Sequence, residues 1–329
     1  MTTQPRASHD LVMKALAGAL LLFAAASAMG QTFVRMEAHP IETVTLDTQQ
    51  VLTGDMNGKR TVIAGQLRIP KPGDDRLPAV ILVHSSGGIS ASTNRWADEL
   101  NSIGLAVFVI DSFSGRGILS TINDQSQLDS LSMMVDAYRA LSLLAKHSRI
   151  DSSRIAVMGF SKGAVAAVYS SNRRFVKLYA PADVTFAAHI GLFTPCNVRY
   201  RDDEDVTGKP IRLFHGTADD YVPIAPCRAY VERLKKAGAD ASLTEYPGAH
   251  HSYDNFTRAA PLKLPQGQTT RNCVIQESDN GRVVNTKTNQ LFSYKDPCVE
   301  VGPQIAYDPK AYEATLAEVK GLLSKTLAK

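Results

Sequence analysis

The sequence predicts an α/β protein with a mostly parallel, doubly wound sheet flanked by helices. Short runs that are apolar on both faces are typical of buried parallel strands. Such runs begin at residue 79 and recur at 105–113, 154–160, 186–193 and 211–216. Helical patterns separate or follow them, at 93–104, 128–147, 227–238 and 311–328. This alternation of strand and helix is what favours a parallel sheet.

Two stretches depart from this alternation. Residues 33–69 precede it and are expected to be extended, with an apolar, β-branched run at 61–69 that Pro70 stops. Residues 260–305 are polar and rich in Asn, Gln, Thr, Gly and Pro. They are too poor in apolar residues to form a core of their own. We therefore expect one domain over 31–329, with an insertion at about 260–305.

The N-terminus has the pattern of a secretory signal peptide over residues 1–30. Arg6 and Lys14 precede the apolar run 15–30, and small residues at 26–28 or 28–30 fit a cleavage site. The apolar run is short for a membrane-spanning helix. We expect a periplasmic or secreted protein without stable membrane insertion after cleavage, the alternative being an uncleaved anchor.

The composition excludes several classes of partner. The net charge of +4 over 329 residues is small and is not gathered into a basic stripe, so no nucleic acid partner is expected. The histidines lack metal-ligand spacing and no GxGxxG motif is present, so no metal and no cofactor are expected. Oligomeric state is left open by the sequence.

The chain has four cysteines, Cys196, Cys227, Cys273 and Cys298, and none forms a CxxC pair. An even number in an oxidising compartment suggests disulfides, and four cysteines allow three connectivities. Pairs Cys196–Cys227 and Cys273–Cys298 are favoured because each closes a local segment. Four reduced thiols are the alternative.

A candidate nucleophile lies in the motif Gly159-Phe160-Ser161-Lys162-Gly163, which follows a predicted strand and precedes the helix former at 164–171. In a G-x-S-x-G elbow the sharp strand-to-helix turn exposes the serine hydroxyl, and small residues let the turn close. The new helix also points its amino-terminal amides at the serine. The context predicts Ser161 as a nucleophile.

A base and an acid follow in the order that such a fold requires, serine, acid, histidine. Asp219 and Asp220 come after the predicted strand at 211–216, and His250 and His251 come after the next one. A histidine there can accept the serine proton while a carboxylate fixes its tautomer. The order alone does not choose within either pair.

The oxyanion requires two N–H donors. One is expected from the amide of Lys162, the residue after the nucleophile, and the other from the loop after the first buried strand. Gly87 and Gly88 allow the backbone of that loop to fold close to a substrate, and Ser86 is favoured over Ser85 as the donor. The Lys162 side chain is expected to face solvent.

Three segments together resemble the dienelactone hydrolase family of α/β-hydrolases. HGTADDYVP (215–223) is similar to that family's G-x-x-D-x-x-V-P, and YPGAHHSYD (246–254) to its P-G-A-x-H-x-aromatic segment. IDSFSGRG (110–117) resembles a stretch after a central strand. The resemblance runs from about residue 60 to the end, except for the polar insertion at 260–305, which we call the polar excursion. It implies an α/β-hydrolase fold, Asp219 as the acid and His251 as the base.

The founding members of the family carry cysteine where this chain has Ser161. The serine and the export signal move the expected activity from dienelactones to the hydrolysis of carboxylic esters, on a small-molecule or polymeric substrate, through an acyl-enzyme. One alternative is a prolyl-oligopeptidase-like serine peptidase, although the large extra domain usual in that group is missing. The other is a non-catalytic binding protein on a hydrolase fold.

Substrate recognition is harder to predict than the nucleophile. Arg116, in the segment 110–117, is a candidate for binding a substrate carboxylate, and a structural salt bridge is its alternative role. The shape of the pocket is expected to depend on loops 112–127, 192–209 and 260–305.

Overall fold

The computed structural model describes residues 33–258 and 260–328, so the predicted signal peptide lies outside the described residues. The strands up to the polar excursion are β1 Arg35–Thr45, β2 Lys59–Ile69, β3 Leu77–Val83, β4 Ala106–Asp111, β5 Ile150–Phe160, β6 His189–Leu192, β7 Val198–Arg199, β8 Ile211–Gly216 and β9 Ala241–Tyr246. The helices are α1 Thr48–Thr53, α2 Ala91–Asn101, α3 Ser130–Ala145, α4 Lys162–Tyr169, α5 Arg173–Tyr179, α6 Ala225–Lys236 and α7 Pro309–Thr326.

Eight of these strands form one sheet in the order β1-β2-β4-β3-β5-β6-β8-β9. Strand β2 is antiparallel to both of its neighbours, and every other adjacent pair, from β4 to β9, is parallel. The predicted mostly parallel, doubly wound sheet is confirmed. The carboxyl ends of its parallel strands meet at one edge, where such folds place their ligands.

Alternate residues of the central strands pack into two separate cores. In β3, Val80 and Leu82 belong to a cluster with Trp96 of α2 and Val319 of α7. Ile81, between them, faces a second cluster that includes residues of α3, α4 and α6. Because side chains of a strand alternate between faces, a run that is apolar throughout needs helices on both sides, which is the observed arrangement.

The polar excursion folds into short strands before α7. They are β10 Leu262–Lys263, β11 Gln268–Thr269, β12 Ile275–Glu277, β13 Val283–Asn285, β14 Gln290–Leu291, β15 Glu300–Val301 and β16 Gln304–Ile305. Strands β12, β13 and β14 join β7 in a four-stranded sheet. Disulfides link Cys273 to Cys298 inside the excursion and Cys196, just before β7, to Cys227 of α6. The excursion is thus tied to the segment that follows β6.

One element interrupts the segment that was expected to be extended. Helix α1 begins after Asp47, whose side chain accepts from the Gln50 amide while the Gln50 side chain accepts from the Asp47 amide. This reciprocal capping box satisfies two amides at the start of a helix of only six residues. Within the described part of the chain, no helix combines the length and apolarity needed to cross a bilayer.

Candidate active site

Ser161 lies on the turn between β5 and α4 with φ 51° and ψ −114°. Positive φ is rare for a residue with a side chain and costs conformational energy. The turn holds the serine at the carboxyl edge of the sheet, where the first amides of α4 have no acceptor within the helix. The sharp strand-to-helix turn expected of the motif is therefore present at this residue, with a strained backbone.

The two glycines of the motif are required by contacts between backbones. A Cβ atom on Gly159 would lie 2.0 Å from the carbonyl oxygen of Gly163. A Cβ atom on Gly163 would lie 2.2 Å from the carbonyl oxygen of Val83 and 2.4 Å from that of His84. Neither backbone can move aside as a flexible side chain could. The elbow thus packs directly against the end of β3.

A hydrogen-bonded row connects the serine to a carboxylate. Nε2 of His251 lies 3.0 Å from Oγ of Ser161, and Nδ1 of His251 lies 2.8 Å from Oδ2 of Asp219. The Nδ1–H donates to Asp219 in this arrangement, which leaves Nε2 free to accept the serine proton. All three residues are buried, with exposed fractions of 7%, 2% and 6% for Ser161, His251 and Asp219.

Asp219 is held by three groups besides His251. Its Oδ1 accepts from the amides of Tyr221 and Val222, and Nε2 of His215 lies 3.2 Å from its Oδ2. Burial acts to raise the pKa of the Asp219 carboxyl, but the charge of His251 and the hydrogen bonds from His215 and His251 outweigh it and hold the pKa well below its usual value. The carboxylate therefore stays ionised beside the histidine.

The neighbouring candidates serve other contacts. Oδ1 of Asp220 accepts from the amide of Gln304, and its Oδ2 lies 3.5 Å from Nη1 of Arg271, so Asp220 anchors the excursion. His250 is only partly buried and its Nδ1 has no partner among the described residues. Of the two aspartates, Asp219 is therefore the one that contacts the histidine, and of the two histidines, His251 is the one that contacts Ser161.

The histidine loop is fixed from both sides. The His251 ring packs against Phe193 at 4.9 Å and Tyr221 at 4.7 Å between ring centroids. The His251 carbonyl accepts from the amide of Ala306, directly after β16. The end of the excursion therefore helps to hold the imidazole in place.

The predicted oxyanion donors come from two different elements of the fold. Lys162 is the first residue of α4, and Ser86 follows β3. Ser86, Ser161 and Lys162 line one cavity, whereas Ser85 does not line it and instead accepts from the Gly88 amide in a tight turn. The arrangement agrees with the preference for Ser86, whose role as a donor stays a prediction.

The cavity next to Ser161 has a volume of about 570 Å³. This is within the range of pockets that hold a small organic ligand, roughly 300–1,000 Å³. Its apolar lining includes Leu46, Leu128, Val165, Pro195, Val198, Tyr200, Ile275, Leu291, Phe292 and Tyr294. The three predicted loops all contribute, and the start of α1 adds a wall that the sequence did not indicate.

The prediction that Arg116 binds a substrate carboxylate needs correction, because its side chain is not available to a substrate. Its side chain is 3% exposed and donates through Nη1 and Nη2 to both carboxylate oxygens of Asp136, at 2.8 and 2.9 Å. Its Nε donates to Oγ1 of Thr45 and Nη1 also donates to the carbonyl of Ser112. It does not line the cavity. The structural salt bridge is the role that the geometry supports.

The prediction that the Lys162 side chain faces solvent is also wrong. It is buried, with 4% of the residue exposed, and Nζ donates to the carbonyl oxygen of Gln125 at 3.0 Å and to its Oε1 at 3.1 Å. The loop that covers this lysine is far from it in the chain. The five residues of the G-x-S-x-G motif therefore could not indicate that Gln125 would bury the lysine.

One group of potential metal ligands occurs among the described residues, Glu37, His39 and His147. Both Nε2 atoms lie within 3.0 Å of Oε2 of Glu37. The Arg149 amide donates to Nδ1 of His147, so the proton of that ring is on Nε2. Nε2 is the atom through which the ring would have to bind a metal. The group is accounted for as a hydrogen-bonded cluster at the edge of the sheet.

Comparisons with known proteins agree with this architecture. A family model described as "Dienelactone hydrolase family" matches residues 63–289. A protein of Klebsiella pneumoniae subsp. pneumoniae described as a candidate dienelactone hydrolase superposes with a TM-score of 0.56 at 14% identity, covering 89% of this chain and all of its own (100%). No curated protein matches the chain.

Two further solved structures have the same fold. The dienelactone hydrolase-like promiscuous phosphotriesterase P91 from metagenomic libraries has a TM-score of 0.55 at 15% identity, with 89% of this chain and 99% of P91 covered. Esterase 2 of Thermogutta terrifontis, phosphoramylated by tabun, has a TM-score of 0.51 at 20% identity, with 80% of this chain and 91% of the esterase covered.

Proposed function

The chain belongs to the dienelactone hydrolase family, and from that premise we propose that it is an exported serine hydrolase that cleaves carboxylic esters. The observation that carries the proposal is the row from Ser161 through His251 to Asp219, with both hydrogen-bond distances at or below 3.0 Å. A serine hydroxyl is a weak nucleophile until a base is placed beside it. The row supplies that base and the carboxylate that orients it.

The proposed reaction begins with attack of Ser161 Oγ on the ester carbonyl carbon. The serine proton passes to Nε2 of His251, and Asp219 stabilises the imidazolium that results. The carbonyl oxygen becomes an oxyanion, which the amides of Lys162 and Ser86 are proposed to bind. The imidazolium then protonates the departing alcohol, leaving an acyl-enzyme on Ser161.

Deacylation repeats these steps with water as the nucleophile. His251 removes a proton from water, the hydroxide adds to the acyl carbon, and the same two amides hold the second oxyanion. Collapse of that intermediate releases the carboxylic acid, and the proton on His251 returns to Ser161 Oγ. The cycle needs no group beyond those of the chain and water.

The cavity supports a substrate with an apolar part of moderate size. Its volume of about 570 Å³ and its aromatic and aliphatic lining favour an uncharged acyl or alcohol group over a long polar chain. The two disulfides are consistent with an oxidising, extracytoplasmic location, in agreement with the predicted signal peptide.

Turnover of p-nitrophenyl acetate by the purified protein and by Ser161→Ala tests the proposal. We expect measurable turnover by the wild type. For the variant we expect kcat to fall by about 10⁶-fold, because the nucleophile of a catalytic triad is indispensable. Release of p-nitroaniline from prolyl peptide substrates but not of p-nitrophenol from esters would favour the peptidase alternative. A folded protein that turns over neither would favour the binding-protein alternative.

A further inference from the structure

Lys162 is buried beside Ser161, and no carboxylate among the residues that the structure describes forms an ion pair with it, so its placement is costly. Lys162 is the first residue of α4, and the amino-terminal end of a helix disfavours positive charge. Burial lowers the pKa of Lys162 to about 8, although the carboxylates of Asp124 and Asp129 act to raise it. A buried charge that destabilises the fold is expected where function requires it.

The partner of this ammonium is one residue, Gln125. Nζ donates both to the main-chain carbonyl and to the side-chain Oε1 of Gln125. Two contacts to one residue fix the loop around Gln125 and the orientation of its side-chain amide. The Gln125 Nε2 consequently points to the hydroxyl of Tyr221, which lies 3.4 Å away.

Gln125 in turn holds the loop that carries Ser86. Its Oε1 accepts from Oγ of Ser86 at 3.1 Å and from Oγ1 of Thr121 at 3.3 Å. The amide of Thr121 and the hydroxyl of Ser120 both donate to the carbonyl of Ser86, at 2.8 and 3.2 Å. Side chain and main chain of Ser86 are therefore both fixed by the segment that Lys162 holds.

We propose that Lys162 is a positioning residue, which acts through Gln125 to hold Ser86 where its amide can bind the oxyanion. The residue whose amide supplies one predicted donor thus uses its side chain to place the other. Both donors are then set by the same elbow, and their separation does not depend on the mobility of the loop after β3. The inference rests on the proposed function.

An alternative role is a direct contact between the ammonium and an anionic substrate. Two of the three Nζ hydrogens are used by Gln125, and the group is almost fully covered. A substrate-binding role would mainly affect KM for anionic esters. A positioning role affects kcat for every ester, because an oxyanion forms with all of them.

The test compares Lys162→Met with the matched control Lys177→Met, which removes an exposed lysine from the neighbouring helix α5. With p-nitrophenyl acetate we expect Lys162→Met to lower kcat by about 10- to 100-fold, somewhat less than direct loss of a donor, with KM unchanged. Its melting temperature should equal or exceed that of the wild type, because a buried charge has been removed. Lys177→Met should change none of these quantities.

A double-mutant cycle with Gln125→Leu identifies the route. If Lys162 acts through Gln125, the double variant should lose no more activity than the more damaging single variant. Additive losses in kcat, or an effect confined to KM, would overturn the proposal. If Lys162→Met does not fold, Gln125→Leu alone must lower kcat with KM unchanged, and a normal kcat for it would likewise overturn the proposal.

The wild-type protein separates this inference from the proposed function. Absence of ester turnover in the wild type contradicts the proposed function and, with it, this inference. Wild-type turnover together with an unchanged kcat in Lys162→Met contradicts this inference alone.

Discussion

Oδ2 of Asp219 lies 2.8 Å from Nδ1 of His251, while Asp220, the next residue, points away to the excursion and accepts from the amide of Gln304. The two aspartates are adjacent in the chain but have different surroundings. Tyr221 and Val222 turn their amides towards Asp219 and fix its side chain. The carboxylate predicted to be catalytic and the structural one therefore belong to adjacent residues.

Asp219→Asn is expected to impair catalysis, whereas Asp220→Asn is expected to leave it nearly unchanged. An amide at 219 no longer holds the imidazole in the tautomer that accepts the serine proton, so kcat for an ester should fall by about 10⁴-fold. Asp220→Asn should leave kcat near that of the wild type and weaken only the contact to Arg271. Steady-state kinetics of both variants check this, and a larger loss for Asp220→Asn would contradict the assignment.

Gly163→Ala should disrupt the elbow. Its new methyl group would lie 2.2 Å from the carbonyl oxygen of Val83, so the end of β3 or the start of α4 must shift. We expect a lower free energy of unfolding and a loss of esterase activity, since Lys162 and Ser86, the two predicted oxyanion donors, lie close in the chain to the residues of this contact.

Gly321→Ala is the matched control for that substitution. Gly321 lies in the interior of α7 with nothing within 4 Å of a Cβ position, so alanine there should stabilise the protein by about 0.5–1 kcal/mol. Urea denaturation measures both changes. Equal effects of the two substitutions would show that the predicted collision does not occur.

Arg116→Met tests whether this arginine is structural. Removing it leaves the Asp136 carboxylate buried without its ion pair, which should lower the free energy of unfolding by about 3–5 kcal/mol. KM for an ester with a carboxylate group should not change in the folded protein. Arg139→Met, on the exposed side of the same helix α3, is the control and should be neutral within about 0.5 kcal/mol. A selective increase in KM without loss of stability would restore the substrate-binding role.

The disulfide Cys273–Cys298 should matter for both stability and substrate range. Its loop spans 25 residues, for which the entropy of closure predicts a loss of about 3–4 kcal/mol in Cys273→Ser/Cys298→Ser. The excursion forms a wall of the cavity through Ile275, Phe292 and Tyr294. We therefore expect KM to rise more for a bulky aromatic ester than for p-nitrophenyl acetate. Equal changes for the two esters would contradict a role of the excursion in binding.

The elbow could be predicted from sequence because its determinants are local. Gly159, Ser161 and Gly163 lie within one turn, and the strand before and the helix after it are visible as apolar runs. Asp219 and His251 follow strands of the same sheet, so the order of the chain was enough to place them at one edge. The choice within each pair came from the family resemblance.

Contacts between segments far apart in the chain could not be predicted. Lys162 is hydrogen-bonded to Gln125, and Arg116 is paired with Asp136 of α3. The sheet that joins β7 to β12 unites two segments of two and three residues, too short for a periodic pattern. Polar residues in such segments show their partners only when the chain is folded.

The most direct test of the account is the intact mass of the protein after exposure to a fluorophosphonate, followed by peptide mapping. The reagent requires an activated serine and no knowledge of the natural substrate. The account predicts a single adduct on Ser161, absent in Ser161→Ala and strongly slowed in Asp219→Asn. A folded protein that forms no adduct, or one that carries it on another serine, would contradict the assignment of Ser161 as the nucleophile.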